Sequence, residues 1–201
     1  MRRAFFLPCL LLLACASAAY AKDKAPCEIG GFALGADVST YADRLDMATA
    51  KPLPDAPYLV RVNVKPFPGF GGGYLLYGAC ASPGKIVRVK LRYADAGLYL
   101  LTEINSSLTA AYGQPEQIRD NADRSYICNK WALTGKDGQA ISVILQHYDG
   151  WDPDYDRGSS IKLGDWTLIN AERACYEAAH PEAKAAAPEK NAQPAPNMIP
   201  N

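Results

Sequence analysis

Three stretches decide the fold: Ile86-Val-Arg-Val-Lys-Leu-Arg-Tyr93, Leu98-Tyr-Leu-Leu-Thr-Glu-Ile-Asn-Ser-Ser-Leu-Thr-Ala-Ala-Tyr112 and Ile141-Ser-Val-Ile-Leu-Gln-His147. The first alternates apolar and polar residues, the period of a strand with one buried face. The second repeats Leu98, Leu101, Ile104, Leu108, Ala111 and Tyr112 at steps of three and four, which draws one apolar stripe along a helix. Gly113 suits the closing turn and Pro115 forbids continuation. A further strand is expected at Tyr126–Leu133. Lys136-Asp-Gly138 then turns the chain into Ile141–His147. The unit is strand, helix, strand, strand.

Working toward the N-terminus, Ser82-Pro-Gly-Lys85 is a turn that pairs Tyr74–Cys80 with Ile86–Tyr93 as a hairpin. Tyr58–Lys65 alternates Tyr58, Val60, Val62 and Val64 against Leu59, Arg61, Asn63 and Lys65, another half-buried strand. Pro66-Phe-Pro-Gly-Phe-Gly-Gly-Gly73 between them is expected to be a flexible loop. Thr40 and Asp43 fit a capping box, and Tyr41, Leu45 and Ala48 share a helical face, so a helix is expected over 39–49, stopped by Lys51-Pro-Leu-Pro54. Cys27–Gly35 makes an entry strand or turn. Toward the C-terminus, Gly158–Leu168 adds a strand and Ile169–Ala179 a closing helix. From His180 the Ala/Pro/Glu/Lys/Asn run has no apolar face, so 180–201 is expected to be a disordered tail. The expected class is α+β: one domain over 22–179, an antiparallel sheet with helices packed on one face, and a helix-then-meander plan that runs twice.

Residues 1–21 have the pattern of a secretory signal peptide: Arg2 and Arg3, the apolar run Ala4–Ala14, and Ala19-Tyr-Ala21 before Lys22. Leu12-Leu-Ala-Cys15 offers the competing reading of a lipoprotein anchored at Cys15. Cleavage after Ala21 leaves 180 residues and shifts the formal charge from zero to −2. That balance argues against nucleic-acid binding, and no later run is long enough to span a membrane. The expected location is periplasmic or secreted. Four cysteines then remain: Cys27, Cys80, Cys128 and Cys175. An even number in an exported chain suggests two disulfides, with three pairings open. Their wide spacing, with no C-x-x-C, disfavours zinc and redox chemistry.

The candidate sites follow from the alternation. With Val60, Val62 and Val64 inward on one strand and Val87, Val89, Leu91 and Tyr93 inward on the other, Arg61, Lys65, Arg88, Lys90 and Arg92 point outward without an acid among them. Such a patch suits an anionic envelope component or an acidic protein surface. Phe70 and Tyr74, on and beside the Gly-rich loop, are expected contact residues. Asp152, Asp154 and Asp156 stand at alternate positions, as in the first half of a calcium loop. Arg157 replaces the turn glycine and Leu163 the closing Glu, so no cofactor is expected and calcium is the alternative. His147 near Asp149 is the one histidine outside the tail for acid–base work.

Leu34-Gly-Ala-Asp-Val-Ser39 before a short helix, and Leu108–Tyr112-Gly-Gln-Pro115 before strands carrying Trp131, resemble the helix–hairpin modules of BamE-like outer-membrane assembly lipoproteins. They also resemble the tandem modules of β-lactamase-inhibitor proteins. The loop at 66–73 and the cysteine spacing depart from both. The resemblance implies non-enzymatic binding. The expected function is therefore a bacterial-type exported binding protein. The alternative is a small hydrolase of envelope glycans that uses the Asp-rich loop and His147.

Overall fold

The computed structural model describes residues 25–95, 97–120, 126–150 and 157–181. The leader, Cys15, the tail from residue 182 and Asp152, Asp154 and Asp156 lie outside them. The strands are β1 (Glu28–Ile29), β2 (Phe32–Ala33), β3 (Leu45–Leu53), β4 (Ala56–Val64), β5 (Phe70–Gly78), β6 (Ile86–Tyr93), β7 (Glu116–Asp120), β8 (Tyr126–Thr134), β9 (Ala140–Tyr148) and β10 (Gly158–Asp165). The helices are α1 (Leu98–Tyr112) and α2 (Trp166–Ala179), preceded by a 3-10 segment at Val38–Arg44. β1 and β2 form a small hairpin. The other strands make one antiparallel sheet in the order β3-β4-β5-β6-β10-β9-β8-β7.

That order is two meanders meeting at their last strands. Each follows a helical segment, the first the 3-10 turn and the second α1. The seam is β6 against β10, where Lys90 faces Lys162 and Leu91 faces Ile161. On one face Val62, Val64, Leu75, Val89, Leu91, Val143, Leu145, Ile161 and Leu163 form the main core under Leu101, Ile104 and Leu108 of α1. Trp131 packs there too, and its indole N–H donates to the carbonyl of Gly113 at 2.8 Å, tying the end of α1 to β8.

The class is α+β with a large antiparallel sheet, as the periodicity implied. The helical layer expected on one face holds for α1. α2 takes the opposite face, where Ile169 packs on Leu59, Leu76 and Val87. Val87, expected to face inward with Val89 and Leu91, lies on the α2 side because the β5–β6 register shifts between Leu76 and Tyr77. Asp165 starts α2 by accepting from the backbone N–H groups of Thr167 and Leu168, so the strand expected to reach Leu168 ends at Asp165.

Two further expectations change. Residues 45–49 are not helical: Leu45 and Asp46 pair with Val64 and Asn63 as the start of edge strand β3. The pairing available to β4 overrides a modest helical pattern, and Pro52 is tolerated because β3 is an edge. The glycine run is not a loose loop either. Phe67 and Phe70 close a tight turn, and Phe70–Gly73 belongs to β5. Gly73 packs so close to β6 that a Cβ there would lie 2.0 Å from the carbonyl oxygen of Lys90. The glycine permits the strand pairing instead of breaking it.

Among the described residues a single disulfide forms, Cys80–Cys175, which ties the loop after β5 to α2. The second expected bridge does not: Cys128 is buried in β8 and Cys27 is exposed near β1. One helical turn before Cys175 lies Glu172, only 1 % exposed. Its carboxylate accepts four backbone N–H groups, from Ala79 (3.1 Å), Cys80 (2.7 Å), Ala81 (3.1 Å) and Ser82 (2.6 Å). A buried charge is tolerable only when so fully hydrogen-bonded. Gly78 makes room for it, because a Cβ there would stand 2.3 Å from the carboxylate.

Glu172→Ala would leave the backbone N–H groups of Cys80, Ala81 and Ser82 without an acceptor, while that of Ala79 keeps the Tyr58 carbonyl at 3.0 Å. Each orphaned donor costs about 1–3 kcal/mol where water cannot enter. The expected loss of stability is roughly 3–5 kcal/mol, read as a fall in urea midpoint at constant m. A loss under about 1 kcal/mol would mean water replaces the carboxylate.

Candidate functional site

α2 divides the face it packs on. It claims the end where Leu59, Leu76 and Val87 lie, and among the described residues no helix covers the other end of β4, β5 and β6. There an open groove of about 300 Å³ is lined by Arg61, Asn63, Tyr74, Lys90 and Arg92, completed by Val64, Pro66, Gly71 and Gly73. Among the described residues no Asp or Glu lines it. Strand register assembles the set. Asn63 faces Tyr74 and Tyr74 faces Lys90, so all three project from one side.

The basic side chains are held in place. The Arg61 guanidinium lies 4.3 Å from the centre of the Tyr74 ring, and the Lys90 ammonium lies 5.8 Å from it. Both distances are in cation–π range. Arg92 donates to the carbonyl of Gly71 at 2.9 Å. Lys90 is 7 % exposed, whereas Arg61 and Arg92 are exposed. The groove therefore has a sunken charge and two rim charges.

Not every expected residue joins it. Arg88 stacks on Trp166 of α2, 5.0 Å from the ring, and burial pushes its pKa down although Tyr74 and Tyr58 oppose this. Lys65 turns away and donates to the carbonyl of Asp43. Phe70 faces the other side of the sheet. It stacks on Tyr93 at 5.1 Å and meets Phe67 at 4.9 Å, in an aromatic cluster that also packs Arg44 between Phe32 and Phe67. Burial there pushes the Tyr93 hydroxyl up to about 12.

Asn63, which lines the groove, was treated in the sequence only as an outward strand residue, and the pairing of Lys162 with Lys90 across the seam, outside the groove lining, went unnoticed. The alternation of Gly158–Asp165 does carry the signal for Lys162, once β10 is known to neighbour β6. Beside Arg92 in register is Ser160, 2 % exposed, whose hydroxyl has no hydrogen-bond partner among the described residues.

His147 is not presented to solvent. It is 4 % exposed in β9, with Nδ1 at 3.0 Å from the Ser159 hydroxyl on β10. Burial lowers its pKa, against the raising effect of Asp149. Asp149 is occupied by Arg157 at 2.6 Å, a hydrogen bond that lowers its own pKa. Among the described residues no cluster of His, Cys, Asp and Glu has metal-binding geometry, and no helix is long and apolar enough to cross a membrane.

Comparison with protein-family models, with curated proteins and with solved structures finds no match. The arrangement of the side chains is therefore the basis for a functional reading.

Two measurements probe this region. His147 has a folded pKa below its unfolded value, so the unfolded chain binds the proton more readily. Its stabilising contribution is complete above the unfolded pKa of about 6.5 and is lost as pH falls through the lower folded pKa. Thermal unfolding between neutral pH and pH about 5 should show a smaller drop in Tm for His147→Gln than for the native chain; an equal drop would assign the effect to other groups. Ser160→Ala should leave stability unchanged or raise it by up to about 1 kcal/mol, since no hydrogen bond is lost. Marked destabilisation would show that the hydroxyl has a partner in solution.

Proposed function

We propose that this chain is an exported envelope protein that binds an anionic partner, without catalysis, through the groove on β4, β5 and β6. The observation that carries the reading is one groove lined by Arg61, Lys90 and Arg92, the first two in contact with Tyr74, with no acid among the described residues that line it. A concave site of one sign focuses the field and raises the local concentration of opposite charge. Arg61 and Arg92 add planar donors suited to carboxylate, phosphate or sulfate oxygens. Contact with Tyr74 limits the motion of Arg61 before any ligand arrives, which lowers the entropy lost on binding. Two features support an exported location: the leader-like residues 1–21 and the Cys80–Cys175 bridge, a bond that persists in oxidising compartments. The buried, hydrogen-bonded state of His147 favours binding over hydrolysis at that residue.

The test is calorimetric titration with phosphatidylglycerol vesicles, galacturonate oligomers and inorganic phosphate at low and high salt. At least one probe should bind, and its affinity should fall as salt rises. The double variant Arg61→Ser, Arg92→Ser should weaken it by roughly tenfold or more with an unchanged Tm. Failure of all three probes to bind, or equal affinity in the double variant, would overturn the reading.

A further inference from the structure

A second open groove adjoins the first. It has a volume of about 410 Å³ and is lined by Ala48, Thr49, Ala50, Lys51, Arg61 and Asn63. Arg61 and Asn63 line both grooves, so the two form one path. The second exists because β3 bulges. Its register with β4 breaks between Asp46 and Lys51, and the hydroxyl of Thr49 fills the gap by accepting from the backbone N–H of Asn63 at 2.9 Å. Lys51, opposite Arg61 across the strands, then stands on the outer stretch. The cations are strung along the path: Arg92 and Lys90 in one groove, Arg61 at the junction, Lys51 in the other.

From this placement we infer that the anionic partner is a linear acidic glycan, which lies along both grooves and leaves across the edge strand beside Lys51. The inference rests on the anion-binding reading above and narrows it. A single small anion calls for donors that converge on one point. Here Arg61 is directed over Tyr74, Arg92 is anchored at Gly71 and Lys51 stands on the edge strand, so the charges are spread over three strands and not aimed at one point. A flat lipid surface would meet the exposed cations and miss Lys90, which lies below the rim. An extended acidic peptide would bind best by adding a strand to β3. The break in register interrupts that edge and Pro52 has no N–H to donate. A sugar chain needs none of that pairing. It needs cations at intervals for its carboxylates, an amide such as Asn63 for its hydroxyls and a ring such as Tyr74 for its apolar faces.

The experiment titrates the protein with galacturonic acid and its dimer, tetramer and hexamer. Affinity should climb with length and level off once both grooves are filled. Lys51→Ser, on an exposed edge, should weaken hexamer binding by roughly fivefold to tenfold while leaving the dimer and Tm unchanged. A neutral glucan hexamer should not bind, and oligoglutamate of equal charge should bind more weakly. Monomer and hexamer binding alike, or oligoglutamate binding better, would overturn the glycan assignment. Vesicles binding where no glycan does would also overturn it and leave the anion reading standing. If none of the anionic probes binds, both fall.

Discussion

The carboxylate of Glu172 is the interaction on which the second face of this protein depends. Four backbone N–H groups of residues 79–82 converge on it, and the glutamate itself is 1 % exposed. The turn after β5 would otherwise present a row of unpaired donors, and α2 would bury an uncompensated charge. Each solves the problem of the other. Ile169, Glu172 and Cys175 recur at steps of three on α2, so one face of the helix delivers an apolar contact, the carboxylate and the disulfide to the first meander. The helix is set by directional bonds at one spot and by modest apolar burial elsewhere.

Where α2 lies determines what remains available. It covers Leu59, Leu76 and Val87 and holds a half-buried Arg88 against Trp166, away from the lining of the groove. The groove is the part of the same face that the helix leaves uncovered. Its chemistry follows from alternation: positions opposite Val62, Leu75, Val89 and Leu91 are polar or charged because the main core has claimed the other side. The aromatic cluster around Arg44 closes the opposite side at the Phe67–Phe70 turn, which is why Phe70 is a packing residue while Tyr74, four positions on, is a groove residue.

Much of the fold was legible in periodicity. Ile86–Tyr93 and Leu98–Tyr112 form the strand and helix their patterns imply, although the alternation of the strand holds only from Arg88 on, Val87 lying on the α2 side. Residues 45–49 misled because a helical face of three apolar positions is weak beside the ladder that β4 offers. The Gly-rich run misled because glycine marks both loose chain and close approach of strands, and only the neighbour at Lys90 tells which. β7 carries no alternation strong enough to announce an edge strand. The site was partly legible: outward cations on β4 and β6 could be listed, but which of them meet depends on α2 and on register. Glu172 was invisible as a key residue. In sequence it is one more glutamate on a short helix, and its four partners lie about ninety residues away.

The order in which the strands lie has a consequence for how the chain assembles. Each meander is made of neighbours in sequence, so its hairpins close short loops at little entropic cost. The β6–β10 seam is different, because it joins the end of one meander to the end of the other. Contacts of that range dominate contact order, and contact order slows folding. The Cys80–Cys175 bond reaches across the same divide with a sequence separation of 95, a closure worth roughly 4–5 kcal/mol in the chain-entropy description. Once oxidised, the unfolded chain keeps its two halves within reach of each other. The bridge acts as a tether on the ensemble that has yet to fold, shortening the search for the one pairing that local sequence cannot guide.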